Sequence, residues 1–232
     1  LLLFIRAIML EKTSIEIMGI TVIEPVATVT DLLISFVCFY SFIVLKNHPY
    51  KKTSTIKLYR SYFLFMALAT CYGGIVGHGF LYMFSFKWKL PGWILSMISV
   101  GLIERASIMH AKPLIPKNVG RFFAWLNIFE FLILLLIVIY SLNFIYVEAH
   151  AAYGFLIVLF TFELFIFIKT KDNGSKKILL AVIFAGLAAA VHIGKFNLHK
   201  WLNYIDLAHL LMIIGSVVLY YAVADMKLHE KK

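Results

Sequence analysis

The chain has 232 residues, of which 62% are hydrophobic and 15% charged, and its formal net charge is +10. Soluble globular chains average about 45–50% apolar and about 25% charged, so this composition argues against a soluble enzyme, a disordered chain and a disulfide scaffold. In so apolar a chain the excess of Lys and Arg points to basic cytoplasmic loops rather than to nucleic acid, and no zinc-finger, P-loop or dinucleotide fingerprint accompanies it.

Residues 1–19 come first and are expected to form an interfacial segment outside the membrane. The apolar run Leu1–Leu10 is too short to span, and no small-residue cleavage site follows it. Translation could begin upstream, at Met9 or at Met18. A bilayer core needs about 20 apolar residues per helix. Seven stretches meet that length, roughly 20–45, 61–84, 91–111, 122–147, 151–168, 177–195 and 202–225. Pro25 and Pro91 stand near the starts of the first and third, where a first-turn proline is tolerated. Cys38 and Cys71 fall inside apolar runs and read as small packing residues. Continuous apolar runs rather than alternating ones predict helices, not a barrel. The expected fold class is therefore all-α: a seven-helix transmembrane bundle over 20–226, followed by a basic tail, 227–232.

Basic residues set the orientation. The 1–2, 3–4 and 5–6 connections and the tail hold sixteen of the 22 Lys and Arg residues, among them Lys52, Lys112 and Lys171. The opposite side holds six: Arg6, Lys12, Lys87, Lys89, Lys195 and Lys200. By the positive-inside rule the N-terminus is outside and the C-terminus cytoplasmic.

Ionisable residues inside a membrane are costly and usually face the bundle interior. Helix 1 carries Glu24 and Asp31; seven residues at about 100° each bring both carboxylates to one face, with Thr28 beside it. Helix 2 carries His78 near its outer end, among Gly73, Gly74, Gly77 and Gly79. Helix 6 ends at His192, and helix 7 opens with His199, Asn203, Asp206 and His209. With the orientation above, all of these lie in the outer half, so a single outward-facing polar pocket is expected. Asp206 and His209, three apart on one helix, could reach one metal with His78 and with His192 or His199. Asp31 or Glu24 would then serve catalysis as general base, with Asn203 and Thr28 orienting the ligands. Glu104, Arg105, Glu130 and Glu163 form a second group toward the cytoplasmic half, expected to be a charge-balancing network around Arg105.

The carboxylate of helix 1, His78 on helix 2 and His209 on helix 7, in a seven-helix N-out bundle, resemble the CREST superfamily of alkaline ceramidases and adiponectin receptors. The segments Glu24-Pro25…Thr30-Asp31 and Asn203–His209 also resemble uncharacterised bacterial seven-helix proteins. The first resemblance implies zinc and hydrolysis of lipid amides. Three positions of its pattern differ here: Ile205 stands for a histidine and Gly74 for a serine, and the region Lys87–Lys89 lacks an aspartate.

Three functions follow as expectations. The first is a zinc-dependent hydrolase of lipid amides or esters. The second is a non-catalytic membrane subunit or small-ligand binder whose polar residues pack helices, with membrane protein partners. The third is a haem b protein with His78 and one of His192, His199 or His209 as axial ligands. The expected surroundings are the lipid bilayer of a bacterial inner membrane, and no nucleic acid.

Overall fold

A computed structural model describes residues 12–228. It contains seven helices long and apolar enough to cross a membrane: span 1 (Pro25–Asn47), span 2 (Ser54–Gly79), span 3 (Phe86–Ala111), span 4 (Lys117–Ser141), span 5 (Ile145–Thr170), span 6 (Asn173–Gly194) and span 7 (Tyr204–Ala224). The protein is an all-α seven-helix bundle and an integral membrane protein. Residues 1–11 of the expected interfacial segment and 229–232 of the basic tail lie outside the described residues.

Local chemistry sets the starts of several spans. Pro25 occupies the first turn of span 1, where its missing N–H costs nothing. The Thr53 hydroxyl accepts the Ile56 N–H at the start of span 2, and the Asp172 carboxylate accepts the Ser175 N–H at the start of span 6. Asn203 and Asp206 form a capping box at the start of span 7.

The core lies among spans 1, 2, 3, 5, 6 and 7, where Ile34, Tyr59, Phe63, Ile103, Leu159, Ile178 and Leu219 are buried against one another. Span 4 is peripheral: Phe122, Phe129, Ile133 and Leu136 face outward, as lipid contact requires.

Two local features differ from the expected pattern. Residues 20–23 do not begin the first helix. They form strand β2 (Ile20–Ile23), paired antiparallel with β1 (Ser14–Ile17). Met18 and Gly19 both have positive φ, 51° and 78°, the two-residue turn that matches strand twist. The chain enters span 1 through Glu24 in the left-handed region (φ 48°, ψ 54°), so Glu24 is the residue before the helix and does not share a helical face with Asp31. The second feature is a π-helix. Span 2 ends in one over Gly73–Gly79, and span 5 contains another over Tyr153–Leu159.

Candidate metal centre

Asp31, in the second turn of span 1, meets His78 from the π segment of span 2 and His209 from span 7. One ligand atom from each of the three lies within 4.8 Å of the other two. The close approach of spans 1 and 2 depends on glycine. A Cβ at Gly74 would stand 2.9 Å from Asp31 Cβ and 3.0 Å from the Thr28 carbonyl oxygen.

Hydrogen bonds fix the tautomer of each ring. His78 Nδ1 lies 3.0 Å from Glu24 Oε2. A carboxylate only accepts, so Nδ1 carries a proton, and in the neutral ring Nε2 presents its lone pair toward Asp31 Oδ2, 3.8 Å away. His209 Nδ1 lies 2.9 Å from Thr30 Oγ1. The single Thr30 hydroxyl hydrogen goes to the carbonyl oxygens of Val26 (2.9 Å) and Ala27 (3.1 Å). The Thr30 oxygen therefore accepts from His209 Nδ1–H, and His209 Nε2 turns its lone pair to Asp31 Oδ1 at 3.6 Å.

With His78 neutral, three acceptors face one another: two imidazole nitrogens and a carboxylate. Among the described residues no protein donor hydrogen-bonds to Asp31. A carboxylate or hydroxyl behind each ligating imidazole is the usual arrangement around a bound metal. Glu24 is itself held by Lys12, whose Nζ donates to Oε2 at 2.7 Å. Burial would raise the Glu24 pKa, but the hydrogen bond and charge of His78 and the Lys12 ammonium outweigh it and hold it at about 2, below the ordinary 4.5.

The centre opens onto a cavity of about 510 Å³. Asp31, His78, His209, Lys89, Glu148 and His192 supply most of its polar wall, and the rest is largely apolar, including Met66, Phe155, Leu156 and Leu219.

The remaining residues expected at the site take other places. Asp206 Oδ2 accepts the Asn203 backbone N–H at 2.8 Å, and Asn203 Oδ1 accepts the N–H of Ile205 and Asp206. Both side chains serve the helix start, so the three-residue group does not include Asp206. Its Oδ1 is buried without a partner among the described residues. Thr28 donates to the Glu24 carbonyl at 3.1 Å and lies against Gly79. His192 Nδ1 pairs with Glu148 Oε1 at 2.6 Å on the cavity wall. His199 is not on the last helix: it is exposed in the connection before span 7, where its Nδ1 accepts the Trp201 N–H at 3.2 Å. Glu24 acts on His78 rather than standing free as a base.

The acids expected to gather around Arg105 have histidine partners instead. Glu163 pairs with His110, and Glu130 with His150, while Arg105 Nη1 is buried without a hydrogen bond among the described residues. Sequence reasoning passed over both histidines, because His150 fell in a connection by hydropathy and His110 beside the end of a span. The available signal was the excess of acids over cations in the interior, which requires titratable partners on neighbouring helices.

A sequence profile, that of a family of unknown function, DUF6962, matches residues 26–228. No curated protein and no solved structure matches the chain.

Proposed function

The chain belongs to the DUF6962 family, and we propose that it binds a zinc ion through Asp31, His78 and His209 and hydrolyses a lipid amide or ester. The observation that carries this reading is the meeting of two imidazole Nε2 atoms with a carboxylate that no protein donor among the described residues hydrogen-bonds. Two histidines and one carboxylate are a catalytic zinc donor set, with a position left open toward substrate. The group supplies Lewis acidity when bound. The protein's own part is clear in outline. Glu24 and Thr30 hold the Nδ1 protons of the two rings, and Asp31 brings the negative charge. Lys89 lines the same cavity and offers a cation for an anionic group of the substrate. The largely apolar walls suit an acyl chain and keep water from it. A cavity of about 510 Å³ falls in the usual range for small-ligand sites, about 300–1,000 Å³.

The resemblance of His78 and His209 to the CREST pattern supports the same chemistry. In this reading the hairpin end of the bundle faces outward, the C-terminus is cytoplasmic, the membrane is a bacterial inner membrane, and the substrate comes from the bilayer. A haem between His78 and His209 is disfavoured, because Asp31 lies within 4 Å of both Nε2 atoms, where a porphyrin plane would have to pass. Packing alone is disfavoured for a different reason. Polar contacts that hold membrane helices together pair donors with acceptors, and here both imidazole Nε2 atoms stand 3.6 Å or more from Asp31 without a hydrogen bond to it.

Zinc content of protein purified in detergent without chelator tests the reading. A His78→Ala/His209→Ala double variant should hold one equivalent less than the parent, and should lose turnover of a fluorogenic long-chain amide or ester. Equal zinc in both proteins would remove the metal. Zinc loss with no turnover in the loaded parent would remove the hydrolase and leave a metal-binding membrane protein.

A further inference from the structure

A second cluster lies deep among spans 3, 4 and 5 and shares no residue with the first. We propose that Glu104, Glu130 and His150 form a second divalent-cation site, suited to Zn²⁺ or Mn²⁺.

One ligand atom from each of these residues lies within 4.8 Å of the others. His150 is fully buried, and its Nε2 lies 3.0 Å from the Met97 carbonyl oxygen. A carbonyl only accepts, so Nε2 carries the proton. His150 Nδ1 then faces Glu130 Oε1 and Oε2 at 2.8 and 3.0 Å and Glu104 Oε1 at 3.9 Å. Glu104 is fully buried. Its Oε2 accepts from Asn127 Nδ2 at 3.1 Å, which aims the other oxygen at the cluster. That oxygen, Oε1, is buried and has no hydrogen-bond partner among the described residues.

The unpartnered Glu104 oxygen decides between an ion pair and a cation site. A proton on His150 Nδ1 would satisfy Glu130 alone and leave Glu104 Oε1 buried without a donor among the described residues. A divalent cation cancels both carboxylates and takes the Nδ1 lone pair. The Met97 carbonyl then does for His150 what Glu24 does for His78, fixing the tautomer from behind. One imidazole with two carboxylates suits Zn²⁺ or Mn²⁺.

The backbone is shaped around the same oxygen. The π segment of span 5 presents Gly154 to Glu104, and a Cβ there would stand 2.7 Å from Oε1 and 2.5 Å from Val100. Each of the two candidate centres thus adjoins a π-helical segment, a geometry frequent at functional sites.

The test is metal content of the folded, monodisperse fraction after equilibration with Zn²⁺ and, separately, Mn²⁺. Glu104→Gln keeps the side-chain shape and the Asn127 contact, and His150→Ala removes the nitrogen. Each should lower bound metal by one equivalent relative to the parent, whatever the Asp31 centre holds. The His78→Ala/His209→Ala protein should retain one equivalent, and adding Glu104→Gln to it should remove that one. Equal metal in the parent, Glu104→Gln and His150→Ala proteins would overturn the proposal. So would a folded His78→Ala/His209→Ala protein that binds neither ion, since the cluster would then be a hydrogen-bonded ion pair.

Discussion

Two carboxylate–histidine clusters stand at opposite ends of this bundle, built from the same residue types and opposite in donor balance. At one end Glu163 accepts from Tyr59 (3.1 Å), Ser107 (2.9 Å) and Ser175 (2.7 Å), and from His110 Nδ1 at 3.2 Å. His110 Nε2 reaches the Lys227 carbonyl oxygen at 3.4 Å, so both ring nitrogens donate and the imidazole is a cation. Every lone pair that matters has a hydrogen, and the cluster ties spans 2, 3, 5 and 6 to the segment after span 7. At the other end the Nδ1 protons of His78 and His209 point away from the centre, and among the described residues no protein donor hydrogen-bonds to Asp31. Residue type is alike in the two regions, so it does not distinguish a structural cluster from a binding one. The direction of the protons does.

The largest effect expected from this contrast is at the satisfied end. Glu163→Leu would leave a buried imidazolium and three hydroxyls without their acceptor, at a cost of about 3–5 kcal/mol. Thermal unfolding in detergent, or recovery of monodisperse protein, should show it, and a near-parental melting temperature would break the comparison. An intermediate effect is expected at Glu24, which belongs to the other end but is itself fully paired. Its folded pKa of about 2 lies below the ordinary 4.5. A depressed carboxylate contributes stability that is complete above the unfolded value and is lost as pH falls through the folded one. With chelator present, Glu24→Gln should therefore cost at most about 3 kcal/mol above pH 5, and the gap to the parent should close between pH 4.5 and 2. A gap that does not change with pH would place the effect outside the Lys12–Glu24–His78 chain. The smallest effect is expected at the centre itself. In chelator, Asp31→Asn removes no protein hydrogen bond and should change stability by less than about 1 kcal/mol. A loss as large as that of Glu163→Leu would mean that Asp31 has a protein donor after all.

The seven spans were legible because length and apolar continuity are properties of the chain alone. So were Asp31, His78 and His209, since each interrupts an apolar run. The hairpin was not legible in the same way. Ile20–Ile23 is as apolar as the helix that follows, and a hydropathy window merges them. The β-branched residues Ile15, Ile17, Ile20, Thr21 and Val22 around Met18-Gly19 were the strand signal. The role of Asp206 was obscured by spacing. Asp206 and His209 do lie on one helix, but the capping box with Asn203 claims the aspartate first. His199 was placed by continuing the last helix too far toward its N-terminus. The histidine partners of Glu163 and Glu130 were hidden because pairing between helices depends on which faces meet, and one sequence does not display that.

The π-helix at Gly73–Gly79 gives span 2 a sensitivity to length that its composition does not suggest. A π turn holds more residues than an α turn, so it absorbs about one residue that a regular helix would have to carry forward. His78 sits in the last turn of that segment. Deleting Gly77, whose Cβ position is open space, would let the segment relax to an α-helix. Because the π segment had absorbed one residue, His78 would keep nearly its former direction, whereas the same deletion in the α-helical part of span 2 would turn everything beyond it by about 100° and swing His78 away from Asp31. Removal of a residue inside the π segment and removal of one before it are therefore very different events. The centre is written partly in the identity of its side chains and partly in the count of residues between Asp31 and His78.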